Sequence, residues 1–345
     1  MNDNKKSALI QLNEKKRSRS NELMHKDNIY RFNPPDFKLL ALKYPSFDKY
    51  IINKTEKIYN IDWKDSNAVR ELTRVILDND FKLTVEIPDG FLCPTVTLRL
   101  NYLLWLNDIL LQNKRQNDAD NDEIYAIDIG TGACCILPLL ACRLFSNWNL
   151  FGIDINSDAI EYARKNVKLN NLDDRIKLML NEQKERENSV IVGIDSQREY
   201  QILMCNPPWS TSIEETNLNP NTICTGNSDE LIYENGGEIE FIKHLIDQSL
   251  LLKNIHIFTS IIGKKSSISP IIKYLKQQSI KNFNTTTLAQ GKTFRWAIYW
   301  IVDQTPLPIT NISETTSTTN NKKLNRSERR KLLKITKSED QNIVQ

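Results

Sequence analysis

A chain of 345 residues that is 40% hydrophobic is long enough for one large or two ordinary domains with a real core. Its formal net charge is only +3, from 46 Lys and Arg against 43 Asp and Glu, but the basic residues gather at the two ends. The N-terminus is polar with no signal-peptide core, the most apolar stretch (CCILPLLAC) is far short of a bilayer span, the six cysteines form no C-x-x-C pair and there are three histidines, so the expectation is a soluble intracellular chain with reduced cysteines, no membrane segment and no zinc site.

Residues 1–23 read as a disordered basic arm carrying Lys15-Lys16-Arg17-Ser18-Arg19, a run that suits nuclear import, nucleic-acid contact or plain solvation. Ordered structure begins near Met24, and residues 24–112 form a mainly helical N-terminal module. Within it, NAVRELTRVILDNDF is an amphipathic helix with Val69, Leu72, Ile76 and Leu77 near one stripe, and TLRLNYLLWLNDILLQ is a second helix of the same kind. After a polar Asn/Asp-rich linker the pattern changes. The runs IYAIDIG, NLFGIDI, RIKLML, YQILMCN, IHIFTSIIG and RWAIYWIVD alternate with helical stretches, which predicts a doubly wound α/β sheet over residues 123–304. Residues 305–345 turn to Ser, Thr and Asn and read as a flexible tail that ends in the basic segment NRSERRKLLK.

The first strand of that sheet ends in Asp128, followed by Gly130 and Gly132, which permit a tight turn and close backbone approach to a ligand. The next strand ends in Asp154, near the interval of roughly 20 residues at which an acidic residue meets ribose hydroxyls. Together these suggest a nucleoside-containing cofactor. The third glycine of the dinucleotide fingerprint is Cys135, and no phosphate-binding G-x-x-x-x-G-K-[ST] occurs, which argues against a dinucleotide or nucleotide phosphate.

The motif Asn206-Pro207-Pro208-Trp209 follows the apolar strand Ile202-Leu203-Met204. Proline fixes its own backbone angle and restricts the residue before it, so Asn206 is held extended. An exocyclic base amine or a side-chain amide is a poor nucleophile because its lone pair is delocalised. Two fixed acceptors, the Asn206 side-chain oxygen and the Pro207 carbonyl, can bind its hydrogens and turn the lone pair toward an electrophile. Trp209 offers a stacking face, worth about 1–3 kcal/mol for a base. This pattern resembles the Asn-Pro-Pro-aromatic motif of amino-group methyltransferases that use S-adenosyl-L-methionine.

The similarity extends further. PPDFKLLALKYPSF, TVTLRLNYLLWL, IDIGTGACCILPLL, MCNPPW, ENGGEIEFIKHLI, GKKSSISP and GKTFRWAIYW occur in the same order as in the family that makes N6-methyladenosine in U6 small nuclear RNA, whose bacterial relatives modify an adenine of large-subunit ribosomal RNA. The resemblance covers roughly residues 24–303. It implies a class I methyltransferase domain, Rossmann-like with a seven-stranded, mostly parallel sheet, and S-adenosyl-L-methionine as cofactor. By the same resemblance, Arg99 pairs with the methionine carboxylate, Gly130 lines the cofactor, Asp154 holds its ribose and Glu185 falls in the loop on its adenine side. Cys134 stands where the family often has serine, and Asp154 where it often has glutamate. Asn206, Pro207, Pro208 and Trp209 match the catalytic motif, and Lys264, Lys265, Lys292 and Arg295 match basic positions that face RNA. Gly236-Gly237-Glu238 falls in a stretch that borders the pocket, while the loop SIEETNLNPNT lacks arginines that some relatives carry.

The resulting expectation is an RNA adenine-N6 methyltransferase acting on structured RNA, U6 above all, and resident in the nucleus. A target adenine in a bulge or loop fits best, since it must leave its stack to react. The alternatives are adenine methylation of ribosomal RNA, glutamine N5-methylation of a protein, and a non-catalytic RNA-binding module.

Overall fold

The computed structural model describes residues 22–55, 58–113, 123–182, 191, 193–216, 225–234, 236–291 and 293–302. The N-terminal part holds α1 (Phe37–Lys43), α2 (Pro45–Asp48), the antiparallel hairpin β1 (Ile51–Thr55) and β2 (Ile58–Ile61), α3 (Ser66–Phe81) and α4 (Val96–Gln112). Local signals set the first helices: the Asp36 carboxylate accepts from the amides of Lys38 and Leu39 at the start of α1, and Asp65 does the same for Asn67 at the start of α3. Helix α3 buries Leu72, Ile76 and Leu77 as its spacing predicts, and Val75 and Phe81 besides, while Val69 is only half-buried.

Helix α4 departs from the amphipathic expectation. Leu98, Arg99, Leu100, Asn101, Tyr102 and Leu103 are consecutive and all buried, so the helix is covered on every side through that turn. The cause is tertiary. Asn101 Nδ2 donates to the Ala289 carbonyl at 2.7 Å, while its Oδ1 accepts from the His25 amide at 3.0 Å and Asn28 Nδ2 at 2.7 Å. One face therefore meets the sheet and another meets the segment at Met24–Arg31.

The remaining elements are β3 (Ile124–Ile129), α5 (Ile136–Leu144), β4 (Trp148–Asp154), α6 (Ser157–Leu169), β5 (Ile176–Leu180), β6 (Tyr200–Cys205), α7 (Ile213–Thr216), α8 (Ser228–Leu231), α9 (Gly237–Ser249), β7 (Ile255–Ile262), α10 (Ile268–Gln277), β8 (Asn282–Gln290) and β9 (Thr293–Ile301). The seven strands lie in the order β5-β4-β3-β6-β7-β9-β8. β5, β4, β3, β6 and β7 are parallel, and β9 runs antiparallel to both β7 and β8. This is the class I methyltransferase sheet that the family resemblance implies. The alternation of runs by itself showed six strands, because β8 reads NFNTTTLAQ and shows few apolar residues for an edge strand that is half-exposed over most of its length.

The core sits on both faces of the parallel strands: Ile127, Leu203, Phe258 and Ile262 pack on one face with Leu245 of α9 and Trp300 of β9, while Ala126, Ile202 and Met204 are buried on the other. The chain leaves β3 toward β4 and β5, then returns to β6 on the other side. This reversal opens a crevice at the carboxyl ends of β3 and β6, the place where open α/β sheets bind ligands.

Candidate active site

That crevice is a cleft of about 1210 Å³ lined by Arg99, Asp128, Gly130, Gly132, Cys134, Asp154, Asn206, Pro207 and Pro208, all singled out from the sequence. Gly130 and Gly132 adopt φ of +70° and +66°, the left-handed region that other residues enter only with strain. No atom lies within 4 Å of where a Gly130 Cβ would point, so its backbone faces open space in the cleft. Cys135, at the third-glycine position, takes φ of +51° as it starts α5 and is fully buried.

Asp154 ends β4, and its carboxylate is held by two amides: Gly132 donates to Oδ2 at 2.8 Å and Asn156 to Oδ1 at 3.0 Å. The glycine loop and the acidic strand end are thereby locked to each other. Burial holds the Asp154 carboxyl above the ordinary range, with the backbone amides of Asn156, Gly132 and the neighbouring Ile155 acting against it. Asp128 is completely buried, and burial pushes it up to about 7, opposed by Thr131 and the Arg99 charge. Arg99, on α4, is 4% exposed, and burial lowers it to about 10 while Asp128 acts in the other direction. Cys134 is a buried thiol raised well above its usual value by that burial.

Three of these residues bury polar atoms without a protein partner: Nη1 of Arg99, Oδ1 of Asp128 and Oδ1 of Asn206. Buried polar atoms are nearly always paired in folded proteins, so three such atoms gathered in one cleft are groups that a ligand or water would satisfy. They fit S-adenosyl-L-methionine and an amine acceptor. The Arg99 donor suits the methionine carboxylate, Asp154 suits the ribose hydroxyls, and Gly130 leaves room for close approach. The Asn206 acceptor remains for the hydrogens of an amine. Among the described residues none donates to the Pro207 carbonyl, which gives a second acceptor beside it.

Trp209 does not line the cleft. Its ring lies against the backbone of Gly263, where an added Cβ would come within 2.8 Å of the indole carbons, and the Arg295 guanidinium sits 4.6 Å from the ring centroid. The indole Nε1 and the Arg295 Nε are both buried without a partner. Burial lowers Arg295, with the Glu238 charge opposing. Lys264 pairs with Glu215 of α7, which also accepts from the Thr211 amide at 2.8 Å. Lys265 is exposed at the start of a short 3-10 turn, Lys265–Ser267. Lys292 and Glu185 lie outside the described residues.

Further residues that shape the site carried weaker sequence signals. Glu230 lines the cleft, accepts from the Leu92 amide at 2.8 Å and forms a reciprocal capping box with Asn227. Burial, with the charges of Asp154 and Asp229 adding, pushes it up to about 7. The spacing Asn227-x-x-Glu230 is a capping-box signature and was readable. Tyr102 was not. Its hydroxyl meets Thr259 Oγ1 at 2.5 Å and accepts from the Cys205 amide at 3.4 Å, bracing β6 at the residue before Asn206.

The family model for RNA methyltransferases matches residues 18–303. The chain is 45% identical over 335 residues to the U6 small nuclear RNA (adenine-(43)-N(6))-methyltransferase of Dictyostelium discoideum, covering 86% of this chain and 58% of that relative's length. The crystal structure of the human Mettl16 catalytic domain in complex with the MAT2A 3'UTR hairpin 1 aligns with a TM-score of 0.73 at 36% identity, covering 82% of this chain and 96% of that one. The N-terminal domain of human METTL16 in complex with SAH aligns with a TM-score of 0.68 at 35% identity, covering 81% and 98%.

Proposed function

Because the chain belongs to the RNA methyltransferase family, we propose that it methylates the N6 amine of an adenosine in U6 small nuclear RNA, with S-adenosyl-L-methionine as methyl donor. The observation that carries this reading is the Asn206 Oδ1, a buried acceptor without a partner, in the same cleft as the glycine loop and Arg99. When bound, the cofactor supplies an electrophilic methyl group on a cationic sulfonium. Arg99 and Asp154 hold and orient it from α4 and β4. The Asn206 Oδ1 and the Pro207 carbonyl would accept hydrogen bonds from the two N–H groups of the adenine amine and turn its lone pair out of conjugation; as the N–C bond forms, the S–C bond breaks to leave a neutral thioether and the amine sheds one proton to solvent. No strong base is needed, and the rate comes from alignment in a cleft whose acceptors are already fixed.

The RNAs named for the similar proteins, U6 small nuclear RNA and a 3'UTR hairpin, and the cations Lys264, Lys265 and Arg295 support a structured RNA as partner. A U6 substrate and the basic run near the N-terminus support residence in the nucleus. The test is incubation of the purified chain with labelled S-adenosyl-L-methionine and total cellular RNA, followed by nucleoside analysis and mapping. N6-methyladenosine in U6, absent with Asn206→Ala, is the expected result. Label in ribosomal RNA would replace the target, and label in protein glutamine would overturn the reaction class.

A further inference from the structure

We infer that Glu238 is a positioning residue for the acceptor turn, fixing the backbone on which Trp209 rests and through it the setting of Asn206 and Pro207. The inference deepens the reading of Asn206 as the group that receives the target amine, and rests on it. A glutamate in the first turn of a helix ordinarily faces water and gains a little from the helix dipole. Glu238 instead is 2% exposed. Its Oε2 accepts from the Gly263 amide at 2.6 Å, and its Oε1 from the Lys264 amide at 2.9 Å and Ser267 Oγ at 2.6 Å. A buried carboxylate is costly unless its lone pairs are satisfied, and here all three donors come from the single loop that follows β7.

That loop supports the acceptor turn directly. Gly263 is not in the left-handed region, so its lack of a side chain serves space rather than conformation. A Cβ there would press into Cγ and Cδ2 of Trp209 at 2.8 Å, because the indole rests on bare backbone. Arg295 covers the ring at 4.6 Å. Gly237 closes from another direction, since its Cβ would lie 3.3 Å from the Trp209 carbonyl. Two adjacent residues of the Gly236-Gly237-Glu238 stretch thus converge on the same tryptophan, one by contact and one through an amide it holds. The cofactor cradle stands on other elements, α4, the glycine loop and the end of β4, so the two functions are separable.

The experiment uses the full chain with Glu238→Gln, which keeps the volume but turns an amide nitrogen toward one of three donors. Single-turnover methyl transfer is expected to fall about tenfold or more, while the Kd for S-adenosylhomocysteine stays within about twofold. Gly263→Ala, which pushes on the ring from the other end of the same link, is expected to give the same split. The double variant is expected to be no worse than the more impaired single, as coupled residues are not additive. In protein labelled with 15N-tryptophan, the Trp209 indole resonance, assigned by its loss in Trp209→Phe, is expected to shift in Glu238→Gln. An unmoved resonance, an unchanged transfer rate, or a rate that falls in step with cofactor affinity would each overturn the assignment. A wild-type chain that methylates no RNA would defeat the proposed function, and the indole resonance would still decide the role of Glu238.

Discussion

Arg99, Asp128 and Asn206 each carry a buried polar atom that no neighbour satisfies, and an unmet buried group costs about 1–3 kcal/mol. Ligand atoms that pair with these groups relieve that cost. Arg99→Ala is therefore expected to weaken cofactor binding by about 10- to 100-fold, the worth of a charged hydrogen bond, measured by calorimetry. Burial pushes Asp128 and Glu230 up to about 7, whereas unfolded carboxyls titrate near 4. Between those values the folded protein keeps protons that the unfolded chain has released. The stability these two groups contribute is complete below about pH 4 and is lost as pH rises through about 7. Asp128→Asn, which cannot ionise, is expected to lose less Tm than the wild type between pH 5 and 8. At this scale the glycine loop, Asp154 and the Asn206 motif were legible because each sits at a strand end beside a residue type with one obvious use. Arg99 was found only through family resemblance, for nothing in LRLNY marks a cleft. Tyr102 was illegible, since its partner Thr259 is 157 positions away.

Helix α4 connects what those residues do. It carries Arg99 into the cleft, Asn101 into the joint between the Met24–Arg31 segment and β8, and Tyr102 against the end of β6. Asn101 is 1% exposed with three hydrogen bonds, so Asn101→Ala strands two donors and an acceptor. A loss of about 2–4 kcal/mol is expected in urea unfolding, with an unchanged m value. The parallel strands and their helices were legible from alternating apolar runs. α4 was legible as a helix but not as one enclosed by its neighbours, because its burial comes from tertiary contacts that the expectation of an amphipathic stripe does not foresee. The hairpin β1–β2 and the edge strand β8 escaped for the opposite reason: half-exposed strands with Asn, Lys and Thr look like loops.

Over the whole molecule a net charge of +3 provides little long-range attraction for a polyanion, so affinity for RNA depends on which local cations are free. Lys264 is engaged by Glu215, whose carboxyl it holds below the ordinary range. A phosphate must displace that carboxylate before it can use the lysine. Glu215→Gln is expected to tighten RNA binding at low salt and to steepen the plot of log Kd against log salt by about 0.7–0.9, the increment of one phosphate contact, measured by fluorescence anisotropy. The same molecule also has an order of assembly written into Asn101, whose side chain bonds to a carbonyl 188 residues later in the chain. At about 5–20 residues per second, the ribosome delivers that carbonyl roughly 10–40 s after the asparagine. Until then the helix bearing Arg99 has no anchor on the last hairpin. A nascent chain thus carries Arg99 on a helix whose tie to the sheet edge is completed only when β8 has been made, although β8 itself lines none of the cleft.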